Sequence, residues 1–339
     1  MESYGSGINP GSFLAGGYVK VSREKLHREA QATGFRPEIL EKVIHLLNLL
    51  EAFQGHPFIE GRLALKGGTA LNLFYFDVPR LSVDIDLNYV GAPDRETMLE
   101  ERPKLEEAVA AVCAREGFTL RRLPTDHAGG KWRMSYESSL TQSGNLEVDL
   151  NFMFRVPLWP IGLMDSHPIG SYQASAVPIL DIHEIAAGKI AALLARQASR
   201  DLFDVHLLLT QQKLDSAMLR LAFVLYGAMN RKDWRNVSIG DVNFSVQELE
   251  NSLLPVLREN AVGGQGREIW ANNLVGECKK ALSVVLPLEP NENEFLDLLL
   301  DHGEIDSTIL TSDTTLQQRI QKQPLLEWKA VNVRKHKGL

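Results

Sequence analysis

The chain has 339 residues, 44% of them hydrophobic, and a formal net charge of −7. That length supports two domains with sizeable cores, and the acidic balance weighs against a surface coated for nucleic acid, so any RNA must be met by a local patch. Two cysteines, Cys113 and Cys278, exclude a disulfide scaffold and give no metal cluster, no run of about eighteen apolar residues could span a membrane, and the Gly-rich stretch from Met1 to Tyr18 lacks a signal-peptide pattern, so a cytoplasmic setting is expected.

Residues 1–36 read as an N-terminal extension. Residues 37–53 predict an amphipathic helix: Pro37 suits its first turn, and Ile39, Leu40, Val43, Ile44, Leu47 and Leu50 recur at helical spacing. A short helix over 69–74 follows a glycine turn, then a strand over 83–87. A helix over 95–116 is expected to bury Leu99, Leu105, Val109 and Val112. Strands follow near 118–122, 132–136 and 146–154. Pro157, Pro160 and Pro168 mark a loop, and 176–180 reads as a short strand. Beyond residue 182 the pattern turns helical: 184–194, 202–211, 216–229, 247–259, 267–285, 292–300 and 315–321. Gly263, Gly264, Gln265 and Gly266 form the clearest linker, and Arg334, Lys335, His336 and Lys337 belong to a basic tail, 326–339, expected to be disordered. There is no internal repeat. The expected domains are a core over 37–180 and a helical domain over 181–325.

The chemistry concentrates at Lys66, Gly67, Gly68, Thr69, Ala70 and Leu71, followed by Arg80, Ser82, Asp84 and Asp86. Two glycines opening a helix let backbone N–H groups approach phosphate oxygens. On a strand Asp84 and Asp86 share one face while Val83, Ile85 and Leu87 enter the core. Two neighbouring carboxylates repel unless a cation lies between them, and oxygen donors of this kind suit Mg²⁺ with substrate phosphates. Glu147 and Asp149 alternate with Leu146, Val148 and Leu150 in the same manner. A strand carrying them beside the first would complete a two-metal site, with one metal activating the attacking hydroxyl and the other stabilising pyrophosphate. Solvated faces of two edge strands would give the same alternation.

These blocks resemble the AbiEii/MenT nucleotidyltransferase toxins, within the DNA polymerase beta-like nucleotidyltransferase superfamily. The resemblance spans about residues 36–210. It implies an α+β fold, with a small mixed sheet flanked by helices and a helical C-terminal domain completing the nucleotide site. Gly67 and Gly68 match the superfamily's turn, with Thr69 for the commoner Ser. Asp84 and Asp86 match its paired acids, and Asp149 its third acid, with Glu147 as fallback. Asp84, Asp86 and Asp149 are thereby the implied metal ligands.

Glu184, Lys189, Arg196, Arg200, Asp201 and Asp204 resemble the second block of the family. There Lys189 would neutralise phosphate charge in catalysis. Lys66, Gly67, Gly68, Thr69, Ser82, Lys189, Arg200 and Asp204 would bind the nucleotide. At about 100° per residue, one continuous helix would align Lys189, Arg196 and Arg200 and pair Arg200 with Asp204. A solvated helix face would carry the same charges.

Competing motifs fit less well. Asp84, Asp86 and Asn88 begin like an EF-hand loop, but Tyr89 and Arg95 replace its Gly and Glu. A haloacid-dehalogenase-type phosphatase has no use for the Gly-Gly-Thr, and no Gly-Lys-Ser/Thr completes a P-loop. The expected activity is Mg²⁺-dependent transfer of NMP from an NTP to an RNA hydroxyl, with tRNA leading. The expected role is a growth-inhibiting toxin beside an AbiEi-like antitoxin. Transfer to a protein or a small molecule such as an aminoglycoside, and a non-catalytic nucleotide-binding protein, are the alternatives. Arg121, Arg122, Lys131 and Arg133 are a candidate RNA patch. Trp132 among them is either a stacking platform or core.

Overall fold

The computed structural model describes residues 20–122, 128–264 and 266–338. Met1–Tyr18 and Gln265 of the glycine linker lie outside them. Seven strands, β1 (Leu63–Lys66), β2 (Asp84–Tyr89), β3 (Thr119–Arg122), β4 (Gly129–Tyr136), β5 (Gly144–Asn151), β6 (Gly162–Met164) and β7 (Val177–Ile179), form one mixed sheet of order β3-β4-β5-β2-β1-β7-β6. Strand β2 runs parallel to β5 and antiparallel to β1, and β1 runs parallel to β7. Helices α1 (Arg23–Thr33), α2 (Pro37–Gln54), α3 (Gly67–Ala70) and α4 (Arg95–Arg115) belong to this half. The second half holds α5 (Ile182–Arg196), α6 (Ser199–Gln211), α7 (Ser216–Ala228), α8 (Val246–Glu248), α9 (Arg267–Ala281), α10 (Pro290–Asp297), α11 (Thr314–Gln321) and α12 (Pro324–Lys337).

Burial follows the strand alternation. On β5, Leu146, Val148 and Leu150 are buried while Glu147 and Asp149 are part-exposed on the opposite face. Helix α2 packs on β5 and β7 and against α4. Each such aliphatic side chain contributes roughly 1.5–3 kcal/mol on burial. Buried apolar residues of both halves form one connected core. The lead-in to β2 is pinned from the second half: Leu81 N–H donates to the Val256 carbonyl at 2.8 Å.

Several elements depart from expectation. Strands β1 and β6 and helices α1 and α12 were not legible as elements. Helix α3 passes directly into a π turn over Leu71–Tyr75. Within it the Asn72 amide donates to the Gly68 carbonyl at 2.9 Å, competing with the regular backbone ladder. The helix expected over 247–259 stops early, because Pro255 lacks an N–H and the chain tightens to a 3₁₀ turn over Leu254–Val256. Leu99 is 39% exposed and its neighbour Met98 takes the core position, one residue out of phase. The basic tail is not an irregular segment: residues 334–337 are the last turn of α12. Among the described residues no helix is long and apolar enough to cross a membrane.

Cys113 and Cys278 are both fully buried, and burial pushes each thiol up to about 12. Native protein at about pH 8 should therefore resist a thiol reagent, and denaturant should release both thiols. Stoichiometric labelling before unfolding would contradict this packing.

Candidate active site

The sheet register brings the acids together. Across β1, β2, β5 and β4 the aligned residues are Lys66, Asp86, Asp149 and Lys131. One step along lies a second row, Asp84, Glu147 and Arg133. The two acidic strands, separated by about 60 residues in sequence, are immediate neighbours.

The two rows differ in charge balance. Glu147 accepts from Lys131 at 3.0 Å and Arg133 at 2.9 Å. Burial raises its pKa, but these two cations outweigh that and hold it below the ordinary value. Asp149 and Asp84 are shifted upward instead. Burial is the main cause for both, and Asp86 adds repulsion in each case, against the opposing pull of Lys66 on Asp149 and of Arg200 on Asp84. Arg200 lies 3.7 Å from Asp84, too far for a hydrogen bond. Among the described residues Asp86 and Asp149 thus form no close ion pair, whereas Glu147 forms two.

The glycine turn is shaped around Asp86. Gly67 has φ +73°, and a Cβ there would lie 2.3 Å from the Asp86 carboxylate oxygen. A Cβ at Gly68 would meet Arg80 at 2.9 Å and Ser82 Oγ at 3.0 Å, and would lie 3.6 Å from Lys189 Nζ. Thr69 is fully buried and its hydroxyl donates to the Asp84 carbonyl at 2.5 Å. That hydroxyl ties α3 to β2 and is withdrawn from the phosphate cluster to which sequence assigned it.

Beneath the turn lies a buried ionic network. Asp204 accepts from Arg80 Nε at 2.7 Å and Nη2 at 2.6 Å, from Lys189 at 2.8 Å and from Asn72 at 3.0 Å. Lys189 also donates to Asp201 at 2.9 Å, and Arg196 reaches Asp201 at 2.7 Å. Three cations against two carboxylates leave one positive charge under the turn. Burial opposes the ammonium of Lys189, but Asp204 and Asp201 outweigh it and raise its pKa. Two of its three donors are spent, leaving one for a phosphate oxygen.

This arrangement corrects the expected basic stripe. Gln197 adopts φ +56° and ends α5, so Arg200 starts a separate helix. Arg200 therefore turns toward Asp84, and Asp204 pairs with Arg80 and Lys189 rather than with Arg200.

A cleft of about 370 Å³ is lined by Lys66, Gly67, Asp86, Asp149, Lys189 and Arg196 among others. Gly68, Thr69, Ser82, Asp84, Arg200 and Asp204 are not on its wall; they stand behind or beside it. Sequence missed Asn88, Phe154 and Tyr226, which also line it. Asn88 sits two residues beyond Asp86 on the acidic face, a parity signal that was available. Its Oδ1 is buried without a partner. Phe154 and Tyr226 stack at 5.5 Å between centroids, a pairing no local pattern reveals. Glu184, buried beside them, accepts from the backbone N–H groups of Leu158 and Trp159 and from Tyr226, and burial lifts its carboxyl to about 7. Trp132 is 2% exposed, so it is core and offers no stacking face. Lys131 and Arg133 of the candidate RNA patch are committed to Glu147.

The donor set fits a hard divalent cation. The acidic groups at the site are oxygen donors, and Asp86 repels both Asp84 and Asp149. Among the described residues no group of three or more His, Cys, Asp or Glu side chains is placed to hold a metal ion by itself. Asp86 and Asp149 would thus supply protein ligands, with phosphates and water completing the shell, as Mg²⁺ commonly prefers.

The nucleotidyl transferase AbiEii toxin family of type IV toxin–antitoxin systems matches residues 48–276 of the chain. Among solved structures, MenT4, a nucleotidyltransferase toxin of Mycobacterium tuberculosis H37Rv, is similar in fold. The two share 16% identity and a TM-score of 0.53, over 91% of this chain and 99% of that one. No curated protein matches the chain in sequence.

Three substitutions test the geometry. Gly67→Ala and Gly61→Ala place a side chain at nearly the same positive φ, but Gly61 has open space around it. Both should lose about 1–2 kcal/mol in urea unfolding from the backbone term, and only Gly67→Ala should also weaken divalent-cation binding. Asp204→Asn should cost about 3–5 kcal/mol, since it leaves buried cations unmatched. Although burial opposes its charge, Arg80 and Lys189 hold the Asp204 carboxyl well below the ordinary range. Its contribution is therefore full above the unfolded carboxyl value of about 3.9 and is lost as pH falls through the lower, folded one. The gap between wild type and Asp204→Asn should narrow on acidification below about pH 4; a gap that stays constant would contradict the pairing.

Proposed function

The chain belongs to the nucleotidyl transferase AbiEii toxin family of type IV toxin–antitoxin systems, and from that premise we propose that it moves NMP from an NTP to a hydroxyl of RNA, a tRNA end, with Mg²⁺ held by Asp86 and Asp149. Restraint of growth is the outcome, relieved by a cognate antitoxin of the AbiEi-like kind. The single observation that carries the active-site assignment is the aligned row Lys66, Asp86 and Asp149 beside the Gly67–Gly68 turn.

The reaction is in-line displacement at the α-phosphorus. The acceptor oxygen loses its proton to solvent and forms a new P–O bond, the bond to the β-phosphate oxygen breaks, and pyrophosphate leaves. The backbone at Gly67 and Gly68 admits the phosphates closely, and the start of α3 presents unpaired N–H groups to them. Lys189 and the net positive network beneath it stabilise the charge that grows on the leaving group. Lys66 flanks the carboxylates and restrains their repulsion. When bound, the divalent ion would lower the pKa of the acceptor hydroxyl and polarise the phosphoryl oxygens. Asp84 and Arg200 hold the rim beside the acids. Ser82 and Thr69 support the turn from behind, and Arg80 and Asp204 fix the position of Lys189.

The helical half completes the nucleotide site. Gly188, Ala191 and Ala192 on α5 leave room along one wall, while Tyr226 and Phe154 offer an aromatic surface to the base. A cleft of about 370 Å³ lies at the small end of ligand pockets. It suits one nucleotide, so the acceptor approaches across the rim. The acceptor class itself is drawn from the family resemblance.

The test is incubation of purified protein with Mg²⁺, each labelled NTP in turn and total tRNA, resolved on a denaturing gel. Label should move onto tRNA, and Asp86→Asn should reduce it at least roughly a hundredfold, the scale for removing a preorganised charge-stabilising group, while remaining folded. NTP binding without labelled RNA would move the acceptor to a protein or small molecule. Neither binding nor transfer with any NTP would overturn the site assignment.

A further inference from the structure

We propose that α12 and the segment following α7 form a holding surface for a single-stranded end of the acceptor RNA, with a base stacked on Trp328 and phosphates met by Arg231, Lys335 and His336. This surface presupposes the RNA acceptor proposed above.

A second cavity, of about 380 Å³, is lined by Arg231, Trp328, Val333, His336 and Lys337, together with Met229 and Asn230. Met229 and Asn230 also line the nucleotide cleft, so the two spaces share a wall. Lys329 locks that wall to α12: its ammonium donates to the carbonyls of Ala228 and Asn230, each at 2.6 Å. A strand lying on α12 would thus lead toward the acids.

The chemistry of this surface is that of a single-strand binder. Trp328 is 61% exposed, a large aromatic face left out of the core. Asn332, Lys335 and His336 lie four, seven and eight residues beyond it, on the same helical face. Arg231, Lys335 and His336 are exposed and make no ion pair or hydrogen bond among the described residues. Lys337 and Arg334 are partly committed, to Asp301 and to the Gly303 carbonyl. Local excess of unpaired cations on a chain of net charge −7 favours a polyanion over an ordinary protein surface. Exposed aromatic plus cations is the combination by which proteins hold single strands, stacking bases and tracking the backbone. In the candidate patch of Arg121, Arg122, Lys131 and Arg133, Trp132 is buried and Lys131 and Arg133 pair with Glu147.

The test is fluorescence anisotropy of a labelled single-stranded RNA with full-length protein and no NTP, across a salt series. Trp328→Ala should weaken binding roughly tenfold to a hundredfold, the span of one lost base–aromatic stack. Arg231→Ala with Lys335→Ala should also weaken it and flatten the log–log salt slope by about 0.7 for each lost phosphate contact. Lys279→Ala with Lys280→Ala on α9, outside both cavities, should match wild type. NTP binding is measured in parallel on every variant and should not change, which separates this surface from the cleft. If wild type binds RNA and the Trp328 and Arg231/Lys335 variants bind equally well, the assignment is overturned even where transfer to RNA persists, and the exposed face falls to a protein partner. If wild type binds NTP but no RNA at any salt, the surface and the RNA acceptor fail together, while the nucleotide site stands.

Discussion

The Asp204 carboxylate is the point on which the site depends. Three groups from separate places in the chain converge on it where α6 presents it: Arg80 before β2, Asn72 after the glycine turn and Lys189 on α5. Removing any one partner leaves buried charge or a buried donor unmatched, which is far costlier than losing an exposed pair. That asymmetry fixes the turn, the acid-bearing strand and the helical half relative to one another. Arg80 is itself buried behind Gly68, so the same ion pair that joins the halves also presses against the phosphate turn. A side chain at Gly68 would strike Arg80, and one at Gly67 would strike Asp86.

Charge balance then divides similar residues into different roles. Six acids lie near the turn, Asp84 with only the more distant Arg200, yet Asp201, Asp204 and Glu147 are each neutralised by two cations at short distance. Asp86 and Asp149 are aligned neighbours on adjacent strands without such a clamp. Leaving two carboxylates side by side, half-buried and without a close ion pair among the described residues, is unfavourable in a fold that supplies such pairs to their neighbours. Such a cost persists where a cation and phosphates arrive with the substrate. The same logic sets aside Glu147, which sequence parity alone could not separate from Asp149.

The acid-bearing strands β2 and β5 were legible because a two-residue period is local and strict, while the short β1 and β6 lack it. The amphipathic helices α2 and α4 were legible for the same kind of reason, although Leu99 and Met98 exchanged places. The adjacency of β2 and β5 was not legible, because strand order depends on connections of about 60 residues. The fate of Lys189, Arg196 and Arg200 turned on one residue, Gln197, whose left-handed backbone splits the helix. The family resemblance reached Lys189 and Asp204 but carried no information on their partners. Helix α12 escaped because its charged last turn resembles a solvated tail, whereas its hold on the body, through buried Leu326 and Ala330 and the Lys329 bonds to the 228 and 230 carbonyls, is long-range.

The most direct measurement is Mn²⁺ binding by electron paramagnetic resonance, with a non-hydrolysable NTP present, comparing wild type with Asp149→Asn and Glu147→Gln. Both variants remove one charge from the same face of β5. The site as described predicts that Asp149→Asn abolishes the bound-ion signal while Glu147→Gln retains it. Loss in Glu147→Gln with retention in Asp149→Asn would contradict the assignment of the aligned Asp86 and Asp149 pair as the cation site.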